Sequence, residues 1–264
     1  DGVFLKNNNH HTEISHCTFE KMATNSRAIT CRDYDSGSEY NGGNDSLTIS
    51  YNKTDASTHY GLYIRNARGS QFVGNDFQGY YGFECRECDG SSIMENTIES
   101  SQFGMNCFSC EGATISNNEI YPFEDDHIEW GLYAEYCGDC EINNNTILGF
   151  YDRGIYMYSG GRSLVMNNTV ADTNKQGDYK NESSARGIDY SGTDTNPTEQ
   201  CTVRSNNVYV LGQSSIYGLT GRGALVDSNT ITVVSNDNTS YGIYSNNSVM
   251  LDNVVYSIAE GDGR

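Results

Sequence analysis

The chain has 264 residues, with 35 acidic against 16 basic side chains and a formal charge of −19. That balance, with five Lys, excludes a general nucleic-acid binder, which needs clustered Lys and Arg, and opposes docking on an anionic membrane surface. Twenty Tyr and nine Phe exclude a disordered chain, and no run approaches the ~18 apolar residues of a membrane span.

In chain order, a unit apolar-x-x-Asn-x-apolar recurs. It starts in degenerate form at Ile14, Cys17 and Phe19, passes an insertion over 32–47, and resumes at Ile49, Asn52 and Thr54. Full copies follow at Phe72-Asn75-Phe77, Ile93-Asn96-Ile98, Ile115-Asn118-Ile120 and Ile142-Asn145-Ile147. The series ends with Val165-Asn168-Val170, Val203-Asn206-Val208, Val226-Asn229-Ile231 and Met250-Asn253-Val255. From Asn52 on, successive Asn lie 23, 21, 22, 27, 23, 38, 23 and 24 residues apart. Upstream of each Asn stands an aromatic or Arg, then Gly, then an apolar residue. The first five are Tyr60-Gly61-Leu62, Tyr81-Gly82-Phe83, Phe103-Gly104-Met105, Trp130-Gly131-Leu132 and Arg153-Gly154-Ile155. Arg186-Gly187-Ile188, Tyr217-Gly218-Leu219 and Tyr241-Gly242-Ile243 complete the set.

A near-constant interval of this length is the mark of a solenoid. Each coil is too short to bury its own apolar face and needs a neighbour above and below. The fold class is therefore all-β, a parallel solenoid of about ten coils over 1–264 as one domain. Asp1 opens directly into structured sequence, so the chain reads as a mature form or a piece of a longer one. Two-residue alternation puts Leu62 and Ile64 on one face, with Gly61 and Tyr63 on the other. Asn at a fixed turn tolerates a left-handed backbone and offers an amide to the next coil, so the copies should stack as an Asn ladder.

The pattern resembles the right-handed parallel β-helix superfamily, which includes pectate-lyase-like enzymes and NosD-type repeat proteins. The resemblance implies that the Asn ladder marks the second turn. The Gly-led segment is then the first strand of each coil, the residues before Asn the second, and those after it the third. It also implies that the outer face of the first sheet is where enzymes of this kind work.

Long insertions concentrate around that sheet. Residues 32–47 and 191–200 follow the Gly-led strand, and 121–129, 171–185, 209–215 and 232–240 precede it; loops on a rigid scaffold carry binding and catalysis. Two residues after each Gly, the outward series contains Tyr63, Glu84, Asn106, Tyr133, Tyr156, Asp189, Thr220 and Tyr244. Two further on stand Arg65, Arg86, Phe108, Glu135 and Tyr158. Rings, guanidiniums and carboxylates in rows about 4.8 Å apart suit a sugar chain. The candidate substrate-binding residues are Tyr63, Glu84, Arg65, Arg86, Tyr133, Glu135, Tyr156 and Asp189.

The densest chemistry is Tyr121 to Trp130, Tyr-Pro-Phe-Glu-Asp-Asp-His-Ile-Glu-Trp. Its phenol, carboxylates and imidazole could supply acid, base and charge neutralisation beside a sugar. It is similar to the Tyr-x-Phe-Asp-Pro-His-Glu motif of alginate C5-epimerase β-helices, although one residue is added and the Pro before His is missing. The resemblance implies catalytic roles for Tyr121, Asp126 and His127, with Glu129 alongside; a solvated acidic loop is the alternative. Asp125, Asp126 and Glu129, or Asp33 and Asp35, could hold Ca²⁺, a hard ion with oxygen ligands, but no calcium-loop consensus is present.

Nine cysteines include Cys85-x-x-Cys88, Cys107-x-x-Cys110 and Cys137-x-x-Cys140, a spacing that also occurs in zinc and redox centres. The repeat gives another reading. Cys85 and Cys107 fall three after the Gly, as Cys31 does after Ala28, and Cys88, Cys110 and Cys137 fall six after it. Stacked rows of small buried hydrophobes, inter-coil disulfides and a metal site remain open. Among the Asn-x-Ser/Thr sequons, Asn44 and Asn181 in long loops are the better glycosylation candidates, ahead of Asn52, Asn144, Asn167, Asn238 and Asn246.

The leading functional reading is an extracellular or cell-surface protein that binds a polysaccharide along the first sheet, as a lyase, epimerase, hydrolase or plain binder. The alternatives are a structural or adhesive unit that self-associates end to end through exposed edges, and a metal-handling protein built on the Cys-x-x-Cys rows.

Overall fold

The computed structural model describes residues 1–6, 9–23, 25–32, 43–123, 127–172, 185–191, 200–212, 215–235 and 239–259. All described strand pairing is parallel and joins each strand to its counterpart one coil away. The strands preceding the ladder Asn form a separate ten-stranded sheet, and the first and third strands of the coils form a connected 18-stranded one. Two coils explain that connection. Asp76–Arg86 and Thr97–Phe108 each run from third strand into first strand without a break, with an irregularity between Ser100 and Phe103. Among the described residues there is no helix.

In the second sheet Ile49, Phe72, Ile93, Ile115, Ile142, Val165, Val203, Val226 and Met250 are register partners from coil to coil. From Ile49 to Val226 they are fully buried, each contributing about 2 kcal/mol of apolar burial. The expected register of the repeat is the register of the fold.

The Asn ladder runs from Asn52 to Asn253. The side-chain oxygen of Asn118, for example, accepts from the backbone N–H (3.0 Å) and the side-chain amide (2.9 Å) of Asn96. Its own amide donates to the Ile93 carbonyl and to the Asn145 side chain, both at 2.9 Å. The left-handed residue is not the ladder Asn, as expected, but the one before it. Tyr51, Glu95, Asn117, Asn144, Asn167, Ser205, Ser228 and Asp252 have φ between 47° and 58°, and Gly74 has 66°. Backbone reversal and coil-to-coil bonding are thus divided between two adjacent residues.

The second correction concerns the Gly of the upstream signature. In Tyr60–Arg65 the Gly and the next residue are both buried, and Tyr60, Tyr63 and Arg65 are partly exposed. The alternation slips by one at Gly61, so the Gly faces inward and the residue before it faces out. The cause is the third strand packed behind it. A Cβ on Gly82, Gly104, Gly131, Gly154, Gly187 or Gly218 would stand 2.2 Å from a branched apolar side chain of that strand, such as Ile147 Cγ2 at Gly131. It would also stand 2.5–2.8 Å from the next Gly carbonyl oxygen, where no side chain can give way. Gly131→Ala should therefore cost about 3 kcal/mol, the upper end for overpacking a well-filled interior, read as a lower thermal midpoint. An equal or raised midpoint would remove the close-approach account.

Eight of the nine cysteines are buried, and all nine are free thiols. Cys85 and Cys107 are register partners, as the repeat predicts for a stacked row. Asn44, read as a glycosylation candidate, is buried, with its side-chain oxygen accepting from the Asn9 backbone at 2.9 Å; it is a structural residue. Asn181 lies outside the described residues.

Candidate functional site

The slip at Gly gives the first sheet three outward rows. The row before the Gly links Arg27, Tyr60, Tyr81, Phe103, Trp130, Arg153, Arg186, Tyr217 and Tyr241 in register. Sequence reasoning quoted these residues, Arg27 apart, as part of the repeat without placing them on this face. Their recurrence at every Gly was the available signal. The two expected rows are also present, Tyr63-Glu84-Asn106-Tyr133-Tyr156-Asp189 and Arg65-Arg86-Phe108-Glu135-Tyr158.

The first row is a ladder of π systems. Tyr60, Tyr81 and Phe103 stack at 4.6 and 5.2 Å with interplanar angles of 16° and 4°. Arg27 covers Tyr60 and Tyr63 at 5.3 and 4.7 Å. Rings stacked in this way spend their faces on each other and offer edges outward. The stack breaks at Trp130, tilted 61° from Phe103 and 58° from Tyr133. Tyr133 and Tyr156 then stack beside it at 5.0 Å, and the Arg153 guanidinium lies 4.3 Å from the centre of the Tyr156 ring.

A bonded polar cluster surrounds that break. Trp130 Nε1 donates to Asp152 Oδ2 at 2.7 Å, and Arg153 Nη1 to the same oxygen at 2.8 Å. Arg153 Nε donates to Asp189 Oδ2 at 3.0 Å, as does Arg186 Nη1 at 2.6 Å. Asp189 is thus held between two guanidiniums, and is 8% exposed. The Tyr133 hydroxyl donates to Glu135 at 2.6 Å; burial, then this carboxylate, pushes the Tyr133 hydroxyl well above its ordinary range. Burial, then the Asp189 charge, raises Tyr156 as well. Further along, Arg86 Nε donates to the buried Glu84 at 2.6 Å, and Arg65 pairs with Glu87 at 3.4 Å. Six of the eleven Arg of this acidic chain stand in these rows: Arg27, Arg65, Arg86, Arg153, Arg186 and Arg222. A polar neighbour that the sequence did not single out is His59, stacked on Tyr80 at 5.1 Å and edge-on to Tyr60 and Tyr81. Burial, then Arg27, lowers its pKa and favours the neutral ring.

The candidate catalytic set is spread more widely. Tyr121 lies on the third strand as the register partner of Glu99; burial, then the Glu99 charge, pushes its pKa up to about 12. Glu129 enters the first sheet one residue before Trp130 and accepts from Gln102 at 3.3 Å. His127 is partly buried just ahead of it. Among the described residues no hydrogen bond or ion pair joins Tyr121 to Glu129, which engage Glu99 and Gln102 respectively. Asp126 lies outside the described residues, as do Asp125, Asp33 and Asp35 of the calcium candidates. Each insertion likewise lies partly outside them, at 33–42, 124–126, 173–184, 192–199, 213–214 and 236–238.

Comparison with known proteins agrees with the fold. The profile described as the right handed beta helix region matches residues 36–202 and 130–263. No curated protein matches the sequence significantly. Among solved structures, the DFA-IIIase of Arthrobacter chlorophenolicus A6 in complex with GF2 superposes with a TM-score of 0.68 at 16% identity over 93% of this chain. The chain spans 63% of that enzyme's length. The periplasmic alginate epimerase AlgG gives 0.55 at 11% identity, covering 94% of this chain and 73% of its own. The Streptococcus pneumoniae surface protein and adhesin PfbA gives 0.55 at 11%, covering 99% and 89%. At such identities the likeness is one of fold, and the fold alone does not assign an activity.

Proposed function

The chain belongs to the right-handed β-helix family, and from that premise we propose that it binds a polysaccharide laid along the outer face of its first sheet. The observation that carries this reading is the break in the aromatic ladder at Trp130. There a tilted indole stands beside Tyr133 and Tyr156, within a cluster of Asp152, Arg153, Asp189 and Arg186. An apolar ring face beside fixed hydrogen-bonding groups is the composition of a sugar subsite: the ring covers C–H faces, and the polar atoms take hydroxyls or a carboxylate.

Binding is favoured over turnover by how the carboxylates are engaged. Glu84, Glu135, Asp152 and Asp189 each already accept from a fixed donor, which suits groups that position a ligand. Turnover would fall to the segment carrying Tyr121, Asp126, His127 and Glu129. This reading puts the protein outside the cell or at its surface, where such polymers are met; a periplasmic epimerase and a surface adhesin are among its structural neighbours.

A second reading, a stiff spacer or adhesive unit, is supported by the likeness of fold to the surface protein and adhesin PfbA, of whose length the chain covers 89%. One experiment separates the readings: affinity electrophoresis through neutral and uronate polysaccharides, with and without Ca²⁺, beside polymer length and β-elimination absorbance. Retardation at constant polymer length supports the binder, and shortening or absorbance identifies an enzyme. No retardation by any polymer, with concentration-dependent sedimentation, would replace it with the structural reading.

A further inference from the structure

We propose that Cys85, Cys88 and Cys110 form a binding site for a soft, low-charge cation, copper(I), inside the wall of the solenoid where the chain leaves the first sheet. The site is independent of the glycan reading and lies on the other side of the sheet from its rows.

The repeat and one backbone device bring the thiols together. Cys85 ends its first strand facing inward as the register partner of Cys107. Glu87 and Ser109 then take left-handed φ values of 56° and 51°, and the next residues, Cys88 and Cys110, are turned back into the interior with no exposed surface. Rows that are separate along the sequence therefore converge at this corner. Cys85 Sγ lies 3.3 Å from Cys107 Sγ and 3.6 Å from Cys110 Sγ. The Sγ atoms of Cys85, Cys88 and Cys110 all lie within 4.8 Å of one another. Three sulfurs placed trigonally at a metal–sulfur distance of about 2.3 Å stand about 4.0 Å apart, inside that range.

The donor set selects the ion. Among the described residues this is the one gathering of three potential ligand side chains, and all three are sulfur. Calcium and magnesium need oxygen, and zinc takes four ligands in a closed site. A buried, sulfur-only trio fits a soft cation that accepts three-coordination. The displaced thiol protons leave to solvent as the ion enters.

The outside of the same corner supplies an approach. Glu87 and Asp89 flank Cys88 in sequence, and Glu111 follows Cys110. With Asp45 these line a cleft of about 520 Å³ whose other charge-bearing or polar residues include Arg68 and His10. Four carboxylates against one Arg and one His concentrate cations at its mouth. Glu87 and Ser109 line that cleft and each immediately precedes a buried Cys, so the turns that carry them connect the mouth to the thiols.

The test titrates the full, reduced chain under anaerobic conditions with Cu(I) held by bicinchoninate. One equivalent should be withdrawn, with a near-ultraviolet thiolate-to-copper band and an X-ray absorption spectrum showing three sulfur ligands. Cys88→Ala and Cys110→Ala should each weaken retention by about 100-fold, the top of the range for losing an outer-shell partner and so a minimum for losing a ligand; Cys17→Ala and Cys201→Ala should not. The absorption spectrum needs no variant, so a misfolded substitution does not blunt the test. Failure of the folded, reduced protein to compete for copper would overturn the proposal. So would undiminished retention by Cys88→Ala, tighter four-sulfur binding of Zn²⁺, or a native thiol titre that places Cys85 in a disulfide.

Discussion

Asn118→Ala is expected to cost about 4 kcal/mol, a large share of the 5–15 kcal/mol that holds a typical domain together. The substitution leaves the Asn96 backbone N–H and one N–H of the Asn96 side-chain amide without their acceptor. It also takes a donor from the Ile93 carbonyl. These groups are buried, and each buried donor or acceptor left unmade costs about 1–3 kcal/mol. Asn118→Asp separates geometry from chemistry. A carboxylate accepts from Asn96 as before, but it opposes the Ile93 carbonyl and the Asn145 side-chain oxygen without a proton to offer. Burial without a donor partner raises the folded-state pKa of that acid. Its protonated form then stabilises the fold below the unfolded-state value, and this is lost as pH rises through the folded one. The Asp variant should therefore melt lower at pH 7 than at pH 4, relative to the parent at each pH, and the Ala variant should show no such recovery. Differential scanning calorimetry at both pH values decides it; an Ala variant within 1 kcal/mol of the parent would mean that the ladder is ornamental to stability.

Trp130→Ala is expected to lower affinity for whichever polysaccharide the protein retards by at least tenfold, about 1.4 kcal/mol, with the thermal midpoint little changed. The indole is partly exposed, so its removal opens no sealed cavity, while central aromatic anchors dominate binding energies. Trp130→Phe should keep most of the affinity by preserving a ring at the break in the stack. Tyr60→Ala should change affinity less, since both faces of that ring are engaged, by Arg27 on one side and Tyr81 on the other. If the two alanine variants lose affinity equally, the ligand follows the whole ladder and not the break at Trp130.

The fold was legible because its period is written in every coil. One Asn spacing predicted the register from Ile49 to Met250, and the family resemblance supplied the three-strand assignment. The outward rows at Tyr63 and Arg65 were legible for the same reason, since alternation holds after the Gly. It fails at the Gly itself, because Ile147 and its equivalents occupy the space a side chain would need, and the resulting slip moves Trp130 and Arg153 onto the outer face. A strand that changes phase by one residue looks like regular alternation until the residue behind it is known. The cysteine rows were legible separately, but their meeting was not, because it depends on left-handed Glu87 and Ser109, neither of which is a residue that advertises that conformation. The continuous run from Asp76 to Arg86 escaped the sequence too, since nothing in Gln78-Gly79-Tyr80 marks it as strand.

The Asn ladder makes the molecule countable. Asn96 and Asn118 are 22 residues apart and bonded to each other, and Thr97 and Glu119 hold the same place on successive coils. Excising 97–118 would join Asn96 directly to Glu119, bring Ile120 over Gly82 in place of Ile98, and leave each remaining rung bonded to a rung. The product would be the same object one storey shorter, by about 4.8 Å. Length here is a discrete variable, changed by whole storeys, so a chain of this kind can grow or shrink by duplication of one short segment while every surviving contact keeps its form.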